Sequence, residues 1–144
     1  MKKKILLVNG PNLNLLGGRE PDIYGSQTLE DIEAATGAFL DGHGCQLFAF
    51  RSNHEGELID FLHKNADAEY LIINPGGLSH TSVSLRDALT GTEMPFIEVH
   101  ISNIHSRESF RHHSFLSAIA DGVIVGCGVQ GYQLAAELIV QRIT

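Results

Sequence analysis

Short, largely apolar segments alternate along the chain with segments of helical spacing, and this alternation limits the possible folds more than any other feature. Segments that are apolar on both faces belong in a parallel sheet that is covered by helices on each side. The predicted strands are residues 4–9, 45–51, 70–74, 95–101 and 122–125, and the predicted helices are residues 28–40, 55–66, 81–91 and 130–144. Right-handed connections then give a doubly wound, three-layer α/β sandwich with a five-stranded parallel sheet. Five strands in this pattern most often take the order 2-1-3-4-5, which is therefore the predicted order.

Length and charge predict a single domain over residues 1–144 and exclude some partners. Seventeen acidic residues against ten basic ones give a net charge of −7, which disfavours a nucleic-acid partner. The apolar segments are too short to cross a bilayer or to serve as a signal peptide, so we expect a cytoplasmic protein without a membrane partner. Cys45 and Cys127 lie in apolar contexts without paired spacing, which predicts two buried thiols.

The polar residues of the chain are concentrated in the loops that follow the first, third and fourth predicted strands. Ligands in such sheets bind beyond the carboxyl ends of the strands, between strands one and three, where these loops converge. The first loop, residues 10–25, is long for a strand-to-helix connection and rich in Gly and Pro, which is typical of a lid. The loops carry Asn12, Arg19 and Tyr24, then Asn74 and His80, then His100, Ile101 and Ser102.

The sequence lacks residues that dinucleotide-binding, receiver, flavin-binding and metal sites require. Residues 126–131 match G-x-G-x-x-G, but a dinucleotide site needs a further strand with an acidic residue about 20 positions on, so we predict only a tight turn. A receiver domain needs an Asp where the third strand ends in Asn74, and a flavin-binding flavodoxin needs a Ser/Thr-rich loop after the first strand. Adjacent His112 and His113 would not share a helix face, so we expect no metal site.

Two residue pairs could carry acid–base chemistry. Glu98 and His100 are two apart on one strand and therefore share a face, either as a satisfied core pair or as a carboxylate that orients a catalytic imidazole. The position at the strand end favours the catalytic interpretation. Tyr24 is either an aromatic plug or a general base, and a base requires that a neighbouring charge, such as Arg19, lowers its pKa from about 10.

An anion site is the third feature that the sequence predicts. Arg107 and Arg111 are four residues apart and would share the face of a short helix expected within residues 102–117. A solvated, salt-bridged surface is the alternative interpretation. Taken with the Tyr and His candidates, these residues indicate an anionic, oxygen-rich small molecule that loses a proton next to a carbonyl and then loses water.

The same segments resemble type II 3-dehydroquinate dehydratases across essentially the whole chain, in order and in spacing. The resemblance lies in Gly10-Pro11-Asn12-Leu13-Asn14-Leu15-Leu16-Gly17, Arg19-Glu20-Pro21, Tyr24-Gly25, Asn74-Pro75-Gly76, His80-Thr81-Ser82, Arg86-Asp87-Ala88, Glu98-Val99-His100-Ile101-Ser102-Asn103, Arg107-Glu108, Phe110-Arg111 and Gly131-Tyr132. It implies a flavodoxin-like enzyme of the shikimate pathway that converts 3-dehydroquinate to 3-dehydroshikimate through an enolate. A non-catalytic, small-anion-binding regulatory domain on the same fold is the alternative.

The resemblance also implies a role for each site residue. Tyr24 would be the base with Arg19 lowering its pKa, His100 would protonate the departing hydroxyl, and Asn12 would stabilise the enolate. The substrate would be bound by Asn74, His80, Ile101, Ser102 and Arg111, with Asp87 from an adjacent subunit. Glu98 and Arg107 would hold these groups in place without contacting the substrate. A dodecamer built from trimers is implied, and neither a metal nor an organic cofactor is.

Overall fold

The structure, a computed structural model, describes residues 1–18, 22 and 26–144. Within these residues, five strands form one sheet: β1 (Lys3–Asn9), β2 (Cys45–Arg51), β3 (Tyr70–Asn74), β4 (Phe96–His100) and β5 (Gly122–Val125). The order is β2-β1-β3-β4-β5, and every neighbouring pair is parallel. The predicted α/β sandwich and its strand order are therefore confirmed.

Helices cover both faces of the sheet. They are α1 (Leu29–Asp41), α2 (Glu55–Lys64), α3 (Val83–Gly91) and α4 (Gln130–Ile143). A capping box fixes the start of α1, because the Thr28 side chain accepts from the Asp31 N–H and the Asp31 carboxylate accepts from the Thr28 N–H. The second helix ends at Lys64, two residues before the predicted end.

The three central strands, β1, β3 and β4, are buried on both faces over most of their length, as a sheet between two helical layers requires. On β1, Ile5 and Leu7 pack into the core formed with α1 and α4, while Leu6 and Val8 pack into the core formed with α2 and α3. This alternation is what a strand with a two-residue repeat produces. The middle of the sheet therefore provides a rigid base for the loops at its carboxyl end.

The segment after β4 differs from the sequence prediction. Instead of a short helix, the chain makes three 3₁₀ turns at Ile104–Ser106, Ser109–Arg111 and Ser117–Ile119. Local polar side chains compete with helical hydrogen bonds here, since the Asn103 side chain accepts from the His105 N–H. Arg107 and Arg111 therefore do not share a helix face, and that part of the prediction is wrong.

The prediction of two buried thiols is half wrong. Cys45 is buried, whereas Cys127 is exposed. Cys127 lies between Gly126 at φ 84° and Gly128 at φ 64°, two left-handed residues that form a turn after the edge strand β5. The turn carries the thiol away from the core. None of the described helices is both long and apolar enough to cross a membrane.

Candidate active site

A cleft of about 320 Å³ opens at the carboxyl ends of β1, β3 and β4. This position is the switch point at which doubly wound sheets bind their ligands. The predicted residues that line the cleft are Asn12, Asn74, His80, His100, Ile101, Ser102, Arg107 and Arg111. Three distant parts of the sequence therefore contribute polar groups to one concave surface.

The loops after β1 and β3 are held together by close backbone contact. The Gly10 N–H donates to the Asn74 carbonyl over 2.8 Å, and a Cβ on Gly10 would lie 2.5 Å from the Pro75 carbonyl oxygen. Glycine is therefore required at this position. Asn12, at φ 71°, follows in the left-handed region, and its N–H donates to the Asn53 side chain over 2.9 Å.

His100 lies at the end of β4 with its imidazole against a buried carboxylate. Its Nε2 is 2.5 Å from Glu98 Oε2, and the two residues are 5 % and 0 % exposed. An Nε2–H that donates to the carboxylate leaves Nδ1 as the nitrogen that can exchange a proton with a molecule in the cleft. The pair is therefore both buried and adjacent to the cleft, which combines the two interpretations left open by the sequence.

Glu98 receives two further hydrogen bonds from the loop after β4. Ser114 Oγ donates to Oε2 over 2.8 Å, and Ser117 Oγ donates to Oε1 over 2.7 Å. Burial alone would raise the pKa of Glu98, but the bonds from His100, Ser117 and Ser114 outweigh it and hold that pKa below its ordinary value. The carboxylate is accordingly ionised at neutral pH.

A neutral network holds Asn74 on the floor of the cleft. The Asn74 side chain accepts from the Gly76 N–H and donates to Tyr132 Oη over 2.9 Å, and Tyr132 Oη donates to Asn9 Oδ1 over 2.6 Å. Among the described residues, Asn9 Nδ2 is the buried side-chain polar atom that has no hydrogen-bond partner. Burial raises the pKa of Tyr132 far above its ordinary value, so the network carries no charge at neutral pH.

His80 faces His100 across the cleft. The two ring centroids are 6.3 Å apart and the rings are inclined by 21°. The Nδ1–H of His80 donates to the His113 carbonyl over 2.8 Å, which fixes the ring and assigns the proton to Nδ1. The Nε2 atom of His80 is then the nitrogen that can accept from a ligand hydroxyl.

Two arginines supply positive charge to the wall formed by the loop after β4. Arg107 Nη1 donates to Ser102 Oγ over 3.2 Å, and Arg111 Nε donates to Glu108 Oε1 over 2.9 Å. The backbone N–H of Glu108 and the Arg111 guanidinium hold the pKa of the Glu108 carboxyl below its usual range. A ligand carboxylate at Arg111 would therefore compete with an exposed, ionised glutamate.

Two of the described site residues that the sequence predicted, Glu98 and Asp87, are not among the residues that line the cleft. Glu98 lies behind His100, to which it is hydrogen-bonded. Asp87 is exposed on α3 and is not one of the lining residues. Arg19 and Tyr24 lie outside the described residues. Because a neighbouring subunit was predicted to receive Asp87, its absence from the cleft of its own chain leaves that prediction open.

Sequence reasoning did not identify Asn53, Ser114 and Ser117 as parts of the site. Each acts on a predicted residue through its side chain, and each is separated from that residue by 16 to 41 positions in sequence. Short polar residues in a loop give no signal of their own, because the same types also form turns at any surface. The pairing with Glu98 or Asn12 becomes visible only in three dimensions.

Comparison with known proteins gives one consistent result. The sequence profile of the family described as Dehydroquinase class II matches residues 3–140. A 3-dehydroquinate dehydratase of Herminiimonas arsenicoxydans is 56% identical over 145 residues, which cover 99% of this chain and 100% of that protein. A catabolic 3-dehydroquinase of Emericella nidulans is 57% identical over 140 residues, which cover 95% and 90% of the two chains.

Solved structures give the same result for the fold. The crystal structure of a type II dehydroquinase from Propionibacterium acnes has a TM-score of 0.92 and 41% sequence identity with this chain. The superposition covers 98% of both chains. The similarity therefore extends over nearly the whole length of both chains.

Proposed function

The chain belongs to the class II dehydroquinase family, and from this membership we propose that it dehydrates 3-dehydroquinate to 3-dehydroshikimate in the shikimate pathway. The observation that carries the proposal is the His100–Glu98 pair at the wall of a cleft that also contains Asn74, His80 and Arg111. These groups suit a carboxylate-bearing molecule with several hydroxyls, from which one hydroxyl leaves as water.

The proposed reaction uses a base from the segment between β1 and α1 and an acid from the end of β4. Tyr24, as a tyrosinate whose pKa is lowered by Arg19, removes the proton next to the ketone and forms an enolate. Asn12 stabilises the enolate oxygen. His100 then protonates the hydroxyl on the opposite face of the ring as its C–O bond breaks, which gives an anti elimination.

Binding groups fix the substrate between these two residues. Asn74 and His80 hydrogen-bond ring hydroxyls, and the Ile101 and Ser102 backbone N–H groups with Arg111 bind the carboxylate. Glu98 orients His100, and Arg107 stabilises the wall through Ser102. The step needs neither a metal nor an organic cofactor, because proton removal next to a ketone is served by acid–base groups alone.

We further propose a cytoplasmic enzyme with one catalytic domain over residues 1–144 that assembles trimers into a dodecamer. In this assembly Asp87, which is exposed on α3 and does not line the cleft of its own chain, contributes to the cleft of an adjacent subunit. Size-exclusion chromatography with light scattering tests the assembly. A monomer at assay concentrations would contradict it.

A non-catalytic, anion-binding regulatory domain is the second candidate function, and the family membership does not favour it. The two are separated by mixing the protein with 3-dehydroquinate and following the absorbance of the conjugated enone. Steady formation of the enone is the expected result. Binding of the substrate without any enone, at high protein concentration, would instead support the regulatory domain.

Replacing the proposed base gives the sharpest test of the mechanism. Tyr24→Phe is expected to lower kcat by at least about 100-fold, because the phenolate that removes the proton is lost while the ring remains. Binding of the product, measured by calorimetry, should change little. A variant with ordinary turnover would show that Tyr24 is not the base.

A further inference from the structure

The buried carboxylate of Glu98 accepts hydrogen bonds both from its own strand and from the loop after β4. Its side chain is fully buried, yet three side-chain donors converge on it: His100 Nε2 and Ser114 Oγ at Oε2, and Ser117 Oγ at Oε1. A buried carboxylate is costly unless such donors satisfy it. Both serines come from the loop after β4, which also carries the two arginines of the cleft.

The direction of one hydrogen bond is set by a neighbouring backbone group. Ser114 Oγ accepts from the Leu116 N–H over 3.1 Å, so its own hydrogen is available for Glu98. Ser117 Oγ contacts Oε1, the carboxylate oxygen that His100 does not use. Both oxygens of the carboxylate are thus supplied with donors, and this arrangement suits the ionised form.

We propose that Ser114 and Ser117 are positioning residues for the acid step, because their hydroxyls keep Glu98 ionised and oriented towards His100. The Glu98 carboxylate then keeps a proton on His100 Nε2 and directs Nδ1 to the cleft. This inference rests on the proposed function, in which His100 protonates the leaving hydroxyl. The serines act through Glu98 and need not touch the substrate.

The proton balance of the step explains why the ionised state matters. As the C–O bond breaks, its electron pair goes to the oxygen, which takes the proton from Nδ1 of the imidazolium and leaves as water. The enolate electrons form the new C=C bond. The imidazole ends neutral, with Nε2–H still donated to the Glu98 carboxylate, so that Glu98 remains ionised throughout.

The groups around Glu98 that could influence its charge come from the neighbouring strands, from the loop after β4 and from α3, where Arg86 Nη1 donates to the Phe115 carbonyl between the two serines. On the neighbouring strands, it is in register with Ile73 of β3 and Val123 of β5, which are both apolar. On its own strand the titratable neighbour is His100, whose ring faces His80 at 6.3 Å. The charged groups contributed to the cleft by the loop after β4 are Arg107 and Arg111.

Ser117 is the better residue to replace, because a change at Ser114 would also remove its hydrogen bond with the Leu116 N–H. In Ser117→Ala the acid side of the kcat profile is expected to move up by about one pH unit, because the carboxylate loses one charge-assisted bond. We expect kcat to fall about tenfold at the acid end while KM changes by less than about twofold. Ser117→Thr keeps the hydroxyl and should restore the profile.

Ser106→Ala is the matched control, because Ser106 lies in the same loop and bonds the Asn103 carbonyl instead of Glu98. It should leave the profile unchanged. If Ser117→Ala has the profile of the unaltered protein, or if Ser117→Thr behaves like Ser117→Ala, the proposal is wrong.

A readout that does not need turnover separates this inference from the proposed function. The ring nitrogens of His100, assigned by the loss of their NMR signals in His100→Gln, report the pH at which Glu98 takes up a proton. In Ser117→Ala that pH should rise by about one unit. An unchanged titration overturns the role of the serine, whereas a shifted titration in a protein that forms no enone overturns only the proposed reaction.

Discussion

The two sides of the cleft are built from different kinds of hydrogen-bond network. On the β4 side, His100 rests on an ionised carboxylate with serine donors on both oxygens. On the floor, Asn74 rests on the uncharged hydroxyl of Tyr132, which in turn bonds Asn9. The first network can change with pH over the acidic range, and the second cannot. The comparison therefore separates the residues that control the charge next to His100 from those that only hold Asn74 in position.

The β4 side should be the more sensitive of the two to loss of charge. Glu98→Gln keeps the shape of the side chain but removes the carboxylate that accepts from His100 Nε2 and orients the ring, so we expect kcat to fall about 100-fold. The steady-state rates of enone formation measure this. Glu137→Gln, an exposed change on α4, is the matched control and should retain full activity. A Glu98→Gln variant with normal kcat would show that the carboxylate is only structural.

Changes in the Asn74–Tyr132–Asn9 network on the floor of the cleft should mainly lower the free energy of unfolding. Tyr132→Phe leaves Asn74 Nδ2 and Asn9 Oδ1 without the shared hydroxyl, which is expected to lower the free energy of unfolding by about 1–3 kcal/mol. Urea denaturation measures the loss, and kcat/KM should fall by roughly tenfold because Asn74 is less well held.

Tyr70→Phe provides the control for that experiment. Tyr70 is also buried, and its hydroxyl donates to Asp121 over 2.5 Å at the opposite end of the sheet. The Tyr70→Phe variant should have a lower free energy of unfolding and an unchanged kcat/KM. Equal kinetic losses in the two variants would mean that the floor network has no specific link to the cleft.

The pH dependence of stability should distinguish the two networks directly. The pKa of Glu98 in the folded protein lies below its ordinary value of about 4.3, so its stabilising effect is complete above that value and is lost as the pH falls through the folded pKa. Relative to Glu98→Gln, the unaltered protein should therefore gain stability as the pH rises to about 5 and then stay level. The decrease in the free energy of unfolding caused by Tyr132→Phe should be the same at every pH from about 4 to 8.

The smallest effect on activity is expected for Asn53, which is hydrogen-bonded to the loop after β1. Asn53→Ala removes the acceptor for the Asn12 N–H, so the left-handed conformation of Asn12 is less well fixed. A loss of about threefold in kcat/KM is expected, with little change in the free energy of unfolding, because the bond is exposed. Asn53→Asp keeps an oxygen acceptor and should retain most of the activity. If both variants match the unaltered protein, Asn53 does not position Asn12.

Much of the fold could be predicted because it depends on local repeats. The bounds of β2, β3 and β5 agree with the prediction, and α1 begins directly after its cap Thr28, the residue at which the predicted helix starts. The segment from 102 to 117 could not be predicted in the same way. Its Ser, Asn and His side chains bond backbone and distant groups as readily as they enter a helix, so periodicity gave no reliable signal.

The candidate site was partly accessible from the sequence for a different reason. Polar residues at strand ends meet whenever the strands are parallel neighbours, which is why Asn74, His80 and His100 could be grouped in advance. The exposure of Cys127 could not be predicted, because apolar neighbours in sequence do not reveal a turn at two left-handed glycines.

The order of apolar and polar residues by itself determined the strands, the helices and the layers that they form, since burial repeats every two or every 3.6 residues whatever lies elsewhere. The strand order, and with it the edge of the sheet at which ligands bind, followed from the usual topology of doubly wound sheets. The tertiary structure decided what surrounds each reactive group. Ser114 and Ser117 lie 16 and 19 residues from Glu98, and only the path of the loop after β4 brings their hydroxyls to its carboxylate. The charge of a buried group depends on such contacts, and no local pattern encodes them.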